Sequence, residues 1–133
     1  MKKLNGIIPV NIPKISSYEK KLVNECLRTN WISSEGKFVN LFEKNFSSFN
    51  KRKFGIAVSS GTAALEIAVK SLNLKKNSEV LIPSFSIIST ANAVVKNNLK
   101  PVLIDCDLYT WNINVDEAIK KITKKTKAII ITH

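Results

Sequence analysis

From Phe54 onward short apolar runs alternate with helical segments, and this alternation constrains the fold more than any other feature of the 133 residues. A strand buried on both faces reads as a brief run of Val, Ile and Leu. Its parallel neighbour is reached only through a crossover, usually a helix. The expected strands are Gly55–Val58, Glu79–Ile82, Pro101–Ile104 and Ala128–Thr132, with helices near Thr62–Leu72, Ser89–Lys96 and Asp116–Ile122. The fold class that follows is α/β: three layers, α/β/α, around a mostly parallel sheet. The sheet reads as incomplete. Ile129-Ile130-Ile131-Thr132-His133 closes the chain directly after an expected buried strand, with no crossover helix to cover it, so a truncated domain is expected.

The segment ahead of Phe54 has a different texture. Pro9 and Pro13 fix the backbone of an extended arm. Ser16-x-x-Glu19 is a capping box, and Leu22, Val23, Cys26 and Leu27 recur behind it at helical spacing. The loop Trp31–Gly36 interrupts that helix. A second helix follows with Val39, Phe42 and Phe46 as its apolar stripe and Leu41 and Phe49 alongside. Two regions result: residues 1–53, an arm with two helices, and residues 54–133, an α/β core.

Composition argues against several functions. A net charge of +11 invites a nucleic-acid partner. However, only Arg28 and Arg52 are arginines, the lysines are scattered from Lys2 to Lys127, and no tryptophan lies among clustered basic residues as a base-stacking surface requires. The lysines read as solvated helix faces. Cys26 and Cys106 lack metal-ligand spacing and suggest neither zinc nor a disulfide framework. Met1-Lys2-Lys3 is followed by Asn5, Gly6 and Pro9 rather than an apolar run, and no stretch reaches the length of a membrane helix. A cytoplasmic protein with no membrane partner is expected.

The segment that points to chemistry is Val58-Ser59-Ser60-Gly61-Thr62-Ala63-Ala64-Leu65, where an apolar run passes through small residues directly into a helix. Small side chains let a ligand approach the backbone. The first N–H groups of a helix have no internal partner, and its dipole favours an anion by roughly 0.3 to 2 kcal/mol, so the turn can cradle a phosphate. A tight turn capped by Ser60 explains the same residues without a ligand. Neither GxGxxG nor GxxxxGK[ST] is present, so a dinucleotide or P-loop site has no support.

The order of motifs resembles the DegT/DnrJ/EryC1/StrS family of sugar aminotransferases, which have the aspartate-aminotransferase-like fold. The resemblance covers nearly the whole chain. It runs through Ile8-Pro9-Val10, Trp31-Ile32-Ser33-Ser34-x-Gly36, Phe42-Glu43, Ser59-Ser60-Gly61-Thr62-Ala63-Ala64-Leu65 and Pro83-Ser84-Phe85-Ser86. It continues with Thr90-Ala91-Asn92-Ala93, Pro101–Asp105, Trp111-Asn112-Ile113 and Thr126–Ile130. It implies the amino-terminal part of the large domain of a fold-type I pyridoxal-phosphate enzyme. Gly61, Thr62 and the Ala63 N–H correspond to the cofactor's phosphate site. Ile87 stands where many relatives stack an aromatic side chain on the pyridine ring. An isoleucine forfeits a stacking increment of roughly 0.5 to 1.5 kcal/mol, which leaves ring packing and core packing both open.

Ser33 and Ser34 correspond to a loop near the sugar-nucleotide site, though a serine pair before Gly36 also serves as helix punctuation. Asn92 is read as structural. Asp105 and Asp107, at a strand's carboxyl end, are read as loop-capping carboxylates in preference to a general base. His133 is a candidate for site lining only.

The implied reaction moves an amino group from an amino acid, commonly glutamate, to a nucleotide-linked keto sugar for amino-sugar and polysaccharide biosynthesis. In the family a lysine that holds the cofactor covalently and an aspartate facing the pyridine nitrogen lie beyond the position of His133, so this chain alone is expected to be inactive. Relatives are homodimers, and a dimer is expected of the full-length protein. Other readings stay open: a family member that dehydrates instead of transaminating, or a non-catalytic module that binds a phosphate ligand or nucleic acid.

Overall fold

The computed structural model describes Gly6 and residues 8–133, and divides into two compact units, Met1–Ala57 and Val58–His133. The start of the expected amino-terminal arm, residues 1–5 and 7, lies outside the described residues; residues 8–15 carry no helix or strand.

In the first unit, helix α1 spans Ser17–Thr29 and α2 spans Lys37–Phe49. The capping box forms as read: the Tyr18 N–H donates to Ser16 Oγ at 3.1 Å, and the Ser16 N–H donates to Glu19 Oε2 at 2.7 Å. α1 stops at Asn30, whose left-handed backbone (φ 58°) turns its N–H back to the carbonyls of Cys26 and Leu27. Phe42 and Phe46 stack on α2 with centroids 5.4 Å apart, both more than half exposed. An ion pair joins Lys37 to Glu25, linking the two helices.

One expected strand is absent. Among the described residues Gly55–Val58 pairs with no strand, and its backbone is held instead against α2: the Ala57 N–H donates to Glu43 Oε1 at 2.8 Å. A Cβ on Gly55 would stand 2.6 Å from the Glu43 carbonyl oxygen, so only glycine permits this approach. The apolar run was real, but a strand needs a neighbour to bond with, and Ile56 remains 78% exposed.

The second unit is built on three parallel strands, β1 (Glu79–Pro83), β2 (Lys100–Ile104) and β3 (Thr126–Ile129), in the order β2-β1-β3. Three helices flank them: α3 (Gly61–Ser71), α4 (Ser89–Lys96) and α5 (Val115–Lys120). Successive side chains of β1 point to opposite faces. Val80 and Ile82 pack with Val69 of α3 and Ala93 and Val94 of α4, whereas Leu81 packs with Ile104, Ile113 and Ala118 of α5. The layering is therefore α/β/α around a small, unclosed parallel sheet. β3 begins earlier than the apolar run implies, since Thr126 pairs with Glu79 across a register shift. Beyond Ile129 a further backbone bond follows, from the Ile130 N–H to the Leu81 carbonyl at 2.9 Å.

Candidate active site

The carboxyl ends of parallel strands are where open α/β sheets leave room for ligands, and the turn into α3 opens there. Ser60 is extended (φ −162°, ψ 162°), and its hydroxyl accepts from the Ala63 N–H at 3.2 Å, while its carbonyl accepts from Ala64 at 3.0 Å. The N–H groups of Gly61 and Thr62 have no acceptor among the described residues. Nothing lies within 4 Å of the Cβ position of Gly61, nor does its backbone require glycine.

The turn borders a cleft of about 690 Å³, lined by Gly61, Thr62, Leu65, Ser86, Ile87, Ser89, Thr90, residues 130–132 and His133. Hydroxyl pairs edge it: Thr62 Oγ1 and Ser89 Oγ are 2.8 Å apart, and Ser86 Oγ stands 3.1 Å from Thr90 Oγ1 and 3.2 Å from Thr132 Oγ1. Ile87, 75% exposed, stands on the rim and also lines a neighbouring cleft of about 440 Å³ with Ser84, Phe85, Trp111, Asn112 and His133. Among the described residues nothing covers the Ile87 side chain. Phe85 and Trp111 form a tilted pair with centroids 5.2 Å apart.

Trp111 is left-handed (φ 60°), an uncommon conformation for a bulky residue, and the preceding loop holds it there. Its N–H bonds to the Asp107 carbonyl at 2.9 Å, and the Asp107 N–H bonds to Asn112 at 2.8 Å. Asp107 Oδ1 accepts from the Thr110 N–H at 2.8 Å, the Thr110 hydroxyl at 3.0 Å and the Tyr109 N–H at 3.1 Å. These bonds, the Thr110 N–H foremost, hold the Asp107 carboxyl below the ordinary aspartate range. Asp107 thus caps the loop. Asp105 does likewise through the Cys106 N–H at 2.8 Å, and its own N–H is received by Glu117 at 2.8 Å.

Of the residues singled out in the sequence, Gly61, Thr62 and Ile87 share one cleft, with His133. Ala63 lies in the same turn, but its N–H is engaged by Ser60. Ser33 and Ser34 belong to the first unit, in the α1–α2 loop, where Ser33 lines a cavity of about 640 Å³ with Trp31, Ile32 and Phe38. Asn92 is exposed on α4 and does not line the clefts. Ser86, Ser89 and Trp111 had been given no role; the run of hydroxyls from Ser84 to Thr90 was the available signal. No lysine, aspartate or glutamate lines either cleft among the described residues, nor do they hold a His, Cys, Asp and Glu cluster fit for a metal. No described helix is long and apolar enough to cross a membrane.

The sequence pattern that defines the DegT/DnrJ/EryC1/StrS aminotransferase family matches residues 13–133. The chain belongs to that family. Among family members it is 39% identical to the GDP-perosamine synthase of Escherichia coli O157:H7 over 126 residues, 95% of this chain and 35% of that protein. It is 35% identical to the GDP-perosamine synthase of Vibrio cholerae over 96% of this chain and 35% of that protein. The E. coli GDP-4-keto-6-deoxy-D-mannose-3-dehydratase, solved with bound hydrated PLP, superposes with a TM-score of 0.84 at 26% identity, over 92% of this chain and 33% of that one. The chain therefore spans about a third of the length of the curated relatives it matches. The fold is that of fold-type I aminotransferases.

Proposed function

We propose that this chain supplies the phosphate-holding part of a pyridoxal-phosphate site in an enzyme that transfers an amino group from an amino acid to a nucleotide-linked keto sugar. The observation that carries the reading is the open turn at Gly61 and Thr62: two N–H groups unpaired among the described residues, and a glycine that no described neighbour requires. These fit a phosphoryl group, which two backbone donors and the α3 dipole would hold. The Thr62 hydroxyl adds a donor. Ala63 backs the turn, its N–H shared with Ser60. Ile87, on the rim of the same cleft, packs on a ring face. When bound, pyridoxal phosphate supplies the electron sink that lets an amino group move between an amino acid and a carbonyl.

Among the described residues the clefts contain no lysine to hold the cofactor covalently and no carboxylate to face a pyridine nitrogen. Together with the coverage of about a third of the relatives, this supports placing both groups outside residues 1–133. By itself the chain then does not transaminate and, without those anchors, holds the cofactor only weakly. Ser33 and Ser34 are assigned to the sugar nucleotide. Phe42, Phe46 and Phe49, all more than half exposed on α2, suit a homodimer of the full-length protein, which we place in the cytoplasm.

The complete product of the reading frame, incubated with glutamate and a GDP-linked 4-keto-6-deoxy sugar, is expected to yield an amino sugar by mass spectrometry. Loss of a sugar hydroxyl without incorporated nitrogen would instead establish the dehydratase reading, which the structural likeness to the E. coli dehydratase keeps in view. Neither product would sink both.

A further inference from the structure

The hydroxyl of Ser89 is 2.8 Å from that of Thr62, although the two residues are 27 positions apart, on the first turns of α4 and α3. The contact is partly buried, and both side chains line the cleft onto which the free N–H groups of Gly61 and Thr62 open. Two hydroxyls have two protons between them, and their mutual bond uses one. The second is free to point elsewhere. With an anion before the turn, the favourable arrangement has Ser89 donating to the Thr62 oxygen and Thr62 donating to the anion. Each bond in such a chain polarises the next.

We propose that Ser89 is a positioning residue for phosphate: it fixes the Thr62 hydroxyl as a donor and, by donating to it, strengthens its bond to the phosphoryl group. This rests on the reading of the turn as a phosphate site. Alternative roles for Ser89 are weaker. It does not cap α4, which has no side-chain cap bond. The neighbouring hydroxyls are otherwise committed, with Ser86 bonding to Thr90 and Thr132. Thr62 is thus the sole side-chain partner of Ser89 among the described residues.

The test uses the chain as it stands, labelled with ¹⁵N and titrated with pyridoxal phosphate and, separately, with pyridoxal, which lacks the phosphate. The Thr62 and Gly61 amide shifts report binding. Ser89→Ala is expected to raise the dissociation constant for pyridoxal phosphate roughly three- to tenfold, the effect of one lost hydrogen bond, and to leave pyridoxal unaffected. Ser89→Thr, which keeps the hydroxyl, is expected to restore most of the affinity. In a Thr62→Val background the Ser89→Ala change is expected to have little further effect, because the relay has already been cut. Amide dispersion of each variant checks that it is folded.

An unchanged dissociation constant in folded Ser89→Ala overturns the positioning role and leaves the phosphate reading intact. An equal loss for pyridoxal and pyridoxal phosphate overturns it too, since a merely structural change moves both. A wild-type chain whose Gly61 and Thr62 amides respond to neither ligand overturns the phosphate reading, and the role of Ser89 with it.

Discussion

Glycine at position 55 and glycine at position 61 stand in opposite surroundings, one pressed against backbone and one facing open space. Gly55 is enforced by the protein: an added Cβ would meet the Glu43 carbonyl oxygen at 2.6 Å. Gly61 faces open space, and no described neighbour requires it. Gly55→Ala is therefore expected to destabilise the first unit by about 1–3 kcal/mol, the usual cost of overpacking against atoms that cannot yield. The urea midpoint followed by Trp31 fluorescence, in a Trp111→Phe background, measures it. A midpoint unchanged from the parent would mean that the Gly55–Glu43 approach is not as close as described. Gly61 was legible in the sequence because a run of small residues into a helix is a local signal. Ser89 and Trp111 were not, because their significance lies in partners on other elements, which no periodicity encodes.

At the scale of elements, local signals again decided what could be read. The Ser16–Glu19 box announced α1, and the runs from Glu79 and Pro101 announced β1 and β2 to within a residue or so. Gly55–Val58 failed because strand identity depends on a neighbour. The residues had the apolar character of a strand, but Glu43 took the Ala57 N–H. The starts of the three strands are joined by a carboxylate that the sequence did not reveal. Glu79 of β1, nearly buried, bonds to Lys100 of β2 at 3.2 Å and to the Thr123 hydroxyl, in the turn before β3, at 2.6 Å.

The Thr123 bond foremost, and Lys100 after it, hold the Glu79 carboxyl below the ordinary glutamate range. A depressed carboxylate contributes stability that is complete above its unfolded value and is lost as pH falls through its folded value. The wild type is therefore expected to exceed Glu79→Gln in urea midpoint at neutral pH, and the gap to close as pH drops below the ordinary glutamate range. A gap that stays constant down to strongly acidic pH would assign the effect to packing rather than charge.

The whole molecule combines a small α/β/α unit, whose strands and crossovers were largely foreseeable, with a site that depends on the edge where those strands end. Family membership and the fold agree with the order of motifs along the chain. No described lysine or arginine lines the clefts, so the net charge of +11 was a poor guide to the site. On the proposed reading, the two backbone donors with which α3 opens receive a phosphoryl group. The most direct measurement is the change in ¹⁵N–¹H shifts across the chain on adding pyridoxal phosphate, with pyridoxal as the comparison. The account predicts that the largest phosphate-dependent changes fall on Gly61 and Thr62. Changes confined to other residues, or identical for the two ligands, would contradict it.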